Sequence, residues 1–372
     1  MENQKLVGLI HELTMGGAER MMVNILNHFV NRGDEVHLII FKNIGVLKEE
    51  LHSDIYIHDL ESNSVTKGMP KCLKRIYTIY PDTVFSGIGH LNIAIAPFIS
   101  LMRPLLPRTQ WISRETNVVS LQNREEKYPK LFDYLYNKTY KNFDVIIAQS
   151  EDMKKDLETN YPATARKISL VNNPLDIEKI EQLGEASSFR YSSQAGVVNL
   201  LSVGTLRERK RHDLLLKTMA LLPKNYHLTL VGSGEKEKSL KDLTQKLALE
   251  ERITFEGHQS NPYPYMKGAD LFILTSEHEG FPNVLLEANS LGTAVVAFAC
   301  PGGVTEIIKE GVNGFTVING DVEALADKIK EATAYKFNPS LVKKSVVQRY
   351  AKDSILKHYE DIFYHKGGRY GE

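Results

Sequence analysis

The chain has 372 residues, 42% hydrophobic and 25% charged, the composition of a globular protein long enough for two domains with separate cores. Lys+Arg and Asp+Glu stand at 46 each, so the basic excess that would coat nucleic acid is missing and no nucleic-acid partner is expected. The two cysteines, Cys72 and Cys300, support neither a disulfide framework nor a cysteine-based metal site.

Residues 1–5 lead into a strand-like run without a signal-peptide pattern. The most apolar stretch, 93–106, is broken by Pro97, Arg103 and Pro104 and falls short of the about 20 residues that a bilayer crossing takes. A cytoplasmic protein in a reducing compartment is expected, peripheral at most to the inner face of a membrane.

Strand candidates in the first half are 5–11, 35–41, 55–60, 83–87, 109–114, 144–150 and 167–172. Helix-like stretches separate several of them. The clearest places Ala18, Met21, Met22, Ile25, Leu26 and Phe29 on one face, with Gly33 as its stop. Residues 176–196, rich in Ser and Gly, read as a linker or excursion after Asn173-Pro174. A second series follows at 197–204, 226–232, 252–257, 269–276, 293–298 and 314–318, and polar helical segments close the chain from 321 to about 365. Two strand–helix series predict an α/β protein of two doubly wound, Rossmann-like domains facing each other across a cleft, with chemistry in the loops after the strands. The expected division is an acceptor-binding domain at 1–175, a nucleotide-sugar-binding domain at 176–350, and a helix at 351–372 returning to the first domain.

Gly16 and Gly17, before the first amphipathic helix, suit close approach of an anion to a helix N-terminus, or else a plain tight turn. They do not complete a G-x-G-x-x-G, which counts against a dehydrogenase. Gly204 ends a strand and is followed by Arg207, Arg209, Lys210 and Arg211, cations suited to a diphosphate or to a solvated turn. Gly232, in Val231-Gly232-Ser233-Gly234, again puts small residues past a strand. The most informative stretch runs from Ser276 to Ala288. Glu279 lies on a loop and Glu287 in the following helix, while backbone N–H groups of Gly280, Phe281, Asn283, Val284 and Leu285 point towards a phosphate near the helix start.

These residues carry a family resemblance. The stretches 203–216, 257–265 and 279–287, with Glu287-Ala288-Asn289-Ser290-Leu291-Gly292 and Gly302-Gly303-Val304-Thr305-Glu306, resemble the C-terminal domain of family 4 glycosyltransferases of the GT-B fold. Gly16-Gly17-Ala18-Glu19-Arg20 is similar to the glycine loop of bacterial polysaccharide-assembly members, so the likeness spans nearly the whole chain. The resemblance implies that Glu279 contacts the transferred sugar, Glu287 the ribose, and Lys210 the departing diphosphate, as catalytic and donor-binding groups. It also implies retention at the anomeric carbon, a nucleotide-sugar donor as substrate, and neither cofactor nor metal. No Asp-x-Asp occurs in the chain. Gly257, His258 and Gln259 match the loop beside the base and favour a UDP-sugar.

Three departures stand out. Thr205 replaces the arginine usual after the strand-end glycine, leaving Arg209 in preference to Arg207 as its substitute, and Ala294 replaces a usual proline. The histidine frequent in the first domain has no clear match; Trp111 to Asn117 stands there instead. Its Arg114 and Glu115, with His90 in the preceding loop, are the acceptor-side candidates. The acceptor is expected to be a saccharide or a polyprenyl-linked saccharide in bacterial surface-glycan synthesis. Lys67, Lys71, Lys74 and Arg75 lie on an amphipathic segment that fits an anionic membrane surface or, preferably, an ordinary helix covering a sheet. A nucleotide-sugar 2-epimerase, a phosphorylase and a non-catalytic nucleotide-sugar-binding protein are the competing readings. An epimerase needs no acceptor and a phosphorylase needs a pyridoxal-phosphate lysine and a longer chain, while Glu279, Glu287 and Lys210 together disfavour a mere binder.

Overall fold

A computed structural model describes residues 3–14, 16–186, 191 and 196–364. The chain divides into two compact units, Met1–Asn173 with Asp353–Glu372, and Pro174–Lys352.

In the first unit the strands are β1 (Lys5–Ile10), β2 (Glu35–Ile40), β3 (Tyr56–Asp59), β4 (Thr83–Ser86), β5 (Gln110–Arg114), β6 (Val145–Ala148) and β7 (Ile168–Leu170). The helices between them are α1 (Gly17–Asn31), α2 (Val65–Ile79), α3 (Gly89–Met102), α4 (Val119–Glu125), α5 (Pro129–Thr139) and α6 (Glu151–Asn160). The sheet is parallel, in the order β3-β2-β1-β4-β5-β6-β7. Helices cover it, so β1 reads Leu-Val-Gly-Leu-Ile without polar interruption and is buried from Leu6 to Ile10.

The second unit begins with α7 (Ile177–Glu185), inside the stretch expected to be a linker. Asp176 caps it through its carboxylate, and Ile180 is buried, so nine residues that look like Glu-rich spacer form a packed helix. Positions 187–190 and 192–195 of that stretch lie outside the described residues. There follow β8 (Val198–Val203), α8 (His212–Leu221), β9 (Tyr226–Val231), α9 (Glu237–Lys246), β10 (Ile253–Gly257), α10 (Tyr263–Gly268), β11 (Leu271–Leu274), α11 (Asn283–Ser290), β12 (Val295–Phe298), α12 (Val304–Ile307), β13 (Gly314–Val317), α13 (Val322–Tyr335) and α14 (Pro339–Tyr350). This sheet is also parallel, in the order β10-β9-β8-β11-β12-β13. Side chains alternate between two cores, with Leu200, Ile273 and Val296 in one and Leu201, Phe272 and Val295 in the other.

The last helix, α15 (Lys352–Tyr364), packs into the first unit's core. Phe363 stacks on Phe29 at 4.7 Å between ring centroids, and Gln110 Nε2 donates to the Ile362 carbonyl. Glu360 meets His28 Nε2 at 2.7 Å and pairs with Arg32.

Two stretches weighed for a membrane surface pack against the core, α2 as preferred. The apolar run 93–106 is largely core, because Ile93, Ile95, Ala96, Ile99, Met102 and Leu106 are buried, leaving Leu101 and Leu105 exposed. Along α2, Met69, Cys72 and Ile76 face the core and Lys71 Nζ donates to the Leu60 carbonyl at 3.2 Å, as in an ordinary sheet-covering helix. Among the described residues no helix is long and apolar enough to cross a membrane.

Candidate active site

Strand order in the second unit reverses between β8 and β11: β9 and β10 build out to one side, β12 and β13 to the other. At such a point the loops leaving the two central strands diverge, and their carboxyl ends border an open crevice. The loop after β8 carries Arg209 and Lys210; the loop after β11 carries Ser276 and Glu279.

Backbone bonds join these loops. Glu277 N donates to the Arg209 carbonyl at 2.8 Å. Thr275 Oγ1 donates to the Lys210 carbonyl at 3.0 Å. So held, Lys210 Nζ lies 2.6 Å from Glu279 Oε1, and Ser276 Oγ donates to the same oxygen at 2.6 Å. Burial alone pushes the Glu279 carboxyl up; the charges of Lys210 and then Arg209, with hydrogen bonds from Lys210 and Ser276, reverse this and hold it below its ordinary value. Next to the lysine, burial and the Lys210 charge press the His212 imidazole down to about 4, leaving it neutral. Cys300, near the same pair, has its thiol pushed up to about 12, chiefly by burial, and is an inert neighbour.

A third loop, after β12, clamps the Glu279 segment from behind. Glu279 N donates to the Pro301 carbonyl and Gly303 N to the Gly280 carbonyl, both at 2.9 Å. Gly302 has φ +119°, and a Cβ there would stand 2.1 Å from the Glu279 carbonyl oxygen, so only glycine fits both conformation and space. Beyond that clamp, α11 starts at Asn283 with Val284 half-buried beside it, and it carries Glu287, also half-buried, one turn on. Phe281 and Leu285 are buried, the former against Tyr350 at 5.4 Å between centroids, so their side chains pack the core and only their backbones are available to a ligand.

Gly204, Gly232 and Gly257 form one backbone shelf at the ends of β8, β9 and β10. Gly204 N donates to the Val231 carbonyl at 3.0 Å and Gly232 N to the Gly257 carbonyl at 2.7 Å. A Cβ on Gly204 would lie 3.6 Å from Lys210 Cε, which places that shelf against the lysine stem. His258 is exposed, and Gln259 Nε2 donates to its own loop at the Glu256 carbonyl, 2.9 Å away; neither is joined by a bond to Lys210 or Glu279.

In the first unit the order reverses between β1 and β4. Gly16 caps α1 and Gly17 opens it, after β1. The Glu19 carboxylate folds back over Gly16, its pKa raised by burial and by Glu12 against the pull of its own N–H. After β4, His90 meets the His11 ring edge-on at 5.7 Å. Sequence reasoning gave no role to His11, Glu12 or Ser276, which stand just after apolar strands.

Arg114 and Glu115, the acceptor-side candidates, lie inside the first unit. Both are buried. Arg114 Nε donates to Tyr359 Oη at 3.1 Å and its Nη2 to Asn173 Oδ1 at 2.6 Å. Glu115 accepts from Asn92 Nδ2 at 2.9 Å and from the hydroxyls of Tyr140 and Tyr136. These contacts tie both side chains to their own unit, and the Glu115 Oε2 lies 3.7 Å from where a Cβ on Gly89 would stand, beside His90.

Comparison with known proteins gives two matches that meet near the unit boundary. Residues 186–342 match the model described as glycosyl transferases group 1, and residues 15–179 the one described as glycosyltransferase family 4. An uncharacterized glycosyltransferase of Haemophilus influenzae is 36% identical over 324 residues, 83% of this chain and 84% of that one. The N-acetylgalactosamine-N,N'-diacetylbacillosaminyl-diphospho-undecaprenol 4-alpha-N-acetylgalactosaminyltransferase of Campylobacter jejuni is 28% identical, over 84% of this chain and 86% of its own. Among solved structures, Anabaena HepE in complex with UDP-glucose superposes with a TM-score of 0.77 at 20% identity, covering 97% of this chain and 100% of HepE, a likeness of fold.

Proposed function

The chain belongs to glycosyltransferase family 4, of the GT-B fold, and from that premise we propose that it moves a sugar from a UDP-sugar to a saccharide or polyprenyl-linked saccharide. The product belongs to bacterial surface-glycan synthesis, and the sugar is a hexose or N-acetylhexosamine. The observation that carries the reading is the buried Lys210–Glu279 pair at the β8/β11 reversal, beside the start of α11.

In this proposal Glu279, held ionised, accepts hydrogen bonds from hydroxyls of the donor sugar. Glu287 does the same for the ribose, and the backbone from Gly280 to Leu285 faces the diphosphate. The bond between the anomeric carbon and the β-phosphate oxygen breaks with its electron pair going to that oxygen. Lys210, assisted by Arg209, neutralises the charge as it develops. The acceptor hydroxyl forms the new bond on the same face, giving retention, and its proton passes to the departing phosphate. The lysine and arginine supply the positive charge, so neither metal nor cofactor is required. Support for UDP comes from the Gly257–Gln259 loop and from HepE, whose structure holds UDP-glucose. Support for a lipid-linked acceptor comes from the diphospho-undecaprenol named for the Campylobacter relative.

Incubation with UDP-, GDP- and ADP-sugars, with and without a bacterial membrane extract and EDTA, tests this. Release of UDP that the extract stimulates and EDTA leaves unchanged is expected. A sugar isomerised without acceptor points instead to an epimerase, and abolition by EDTA removes the metal-free mechanism.

A further inference from the structure

The helix α5 is anchored on one side only. Its inner face carries Tyr136, whose ring lies 4.2 Å from Tyr140 and 5.2 Å from Tyr161. Asp133, its one acidic residue, accepts from Asn123 Nδ2 at 2.9 Å and Tyr161 Oη at 2.8 Å. The opposite face has no such cover. Leu131 is 52% exposed and Tyr134 58%, and Tyr128, just before the helix, is 57% exposed. Exposed lysines flank them at 127, 130, 138 and 141, so the outward stripe repeats at three- and four-residue spacing. Lys127 Nζ lies 5.4 Å from the Tyr128 ring centroid and Lys138 Nζ 5.8 Å from that of Tyr134.

Single exposed apolar residues are ordinary on a protein surface; three large ones on one stripe with four lysines are not. Protein interfaces deplete lysine from their centres, which argues against a protein occupant. A lipid boundary accepts this mixture. Leucine enters the acyl region, tyrosine rings sit at headgroup depth, and lysine stems lie along the surface with their ammonium groups on lipid phosphates. With Asp133 turned inward, the face presents positive charge alone at its centre.

We infer that the outer face of α5, Tyr128, Lys130, Leu131, Tyr134 and Lys138, is a docking surface for an anionic bilayer. The inference deepens the proposed function and rests on its lipid-borne acceptor. It places the bilayer contact on α5 and not on α2, where Met69, Cys72 and Ile76 face the core.

Flotation of the full-length protein with phosphatidylcholine vesicles, with and without phosphatidylglycerol, is the test. Binding to the anionic vesicles that weakens with salt is expected. The Lys130→Glu/Lys138→Glu variant should bind at least about thirtyfold more weakly, given the worth of each lysine near an anionic surface. Leu131→Asp should also lose binding, while Lys67→Glu/Lys74→Glu on α2 keeps it. Unchanged melting temperature and unchanged UDP release with a water-soluble acceptor show that each variant is folded. Absence of wild-type flotation, or variants on α5 that float as well as wild type, overturns the inference. Flotation lost in the α5 variants while no nucleotide sugar is turned over supports the surface and sinks the transferase reading instead.

Discussion

Replacing Lys210 by methionine keeps most of the side chain's stem and removes its charge, which isolates what the ion pair does. In the native protein the two groups are 2.6 Å apart, with side chains only 16% and 9% exposed. Taking one member from a buried pair costs about 3–5 kcal/mol, because the other charge stays behind in a poorly solvated place. Ser276 still donates to Glu279, and Arg209 still lends its field, so the low end, about 3 kcal/mol, is expected here. For a unit of this size that lowers the melting temperature by about 10 °C. The pH dependence has a definite sign. Glu279 is held below its ordinary value in the wild type, so its contribution is present at neutral pH and disappears as pH falls through that lowered value. Without Lys210 the carboxyl rises, and the stability gap between variant and wild type narrows in acid. Calorimetry across pH and UDP release measure the two effects. Lys210→Met/Glu279→Gln should recover most of the lost stability while turnover stays down about 10²–10³-fold or more. A Lys210→Met protein melting within about 1 °C of wild type, or a double variant less stable than either single one, would refute the buried-pair reasoning.

Two further outcomes follow from burial. His212 is neutral and pressed down to about 4 from an ordinary 6.5, so its contribution is complete above 6.5 and is lost as pH falls towards 4. That interval corresponds to about 3 kcal/mol, and the unfolding free energy of wild type from urea titrations should fall by about that amount more than that of His212→Gln; equal pH slopes would remove the assignment. Phe363→Ala should cost about 3–5 kcal/mol in the first unit by opening a cavity against Phe29 and Phe85, seen as a lower first transition with the second unit's transition unmoved; a shift of both transitions together counts against α15 belonging to one core.

The strands were legible because parallel strands covered on both faces are short unbroken apolar runs, and each expected run appears in the two sheets. Two short helices were not. In α7 the apolar positions Ile177, Ile180 and Leu183 are diluted by glutamates and lie next to serines, so composition suggested a spacer. In α5 the outward Leu131 and Tyr134 stand among the inward Phe132, Leu135 and Tyr136, which blurs the edge of its apolar face. The surface proposed for the bilayer was hidden for the same reason.

Charged residues in loops after strands drew attention to Lys210 and Glu279, whereas Arg114 and Glu115 were singled out because 111–117 stands where the family's histidine is usual; the two pairs are partnered differently. Lys210 and Glu279 lie in the loops after the two central strands at the reversal of strand order, and they are buried against each other. Arg114 ends β5, which lies one strand away from the reversal in its own sheet, and α15 supplies Tyr359 to cover it, 245 residues further along the chain. Glu115 is covered from α3 and from Tyr136 and Tyr140. Nothing local foretells that a helix 245 residues further on will roof Arg114; that is a property of the folded chain. The same reversal of strand order occurs in the first unit between β1 and β4, where His11 and Glu12 follow β1 and Glu19 and His90 stand in the first turns of α1 and α3, with the His11 and His90 rings edge-on at 5.7 Å.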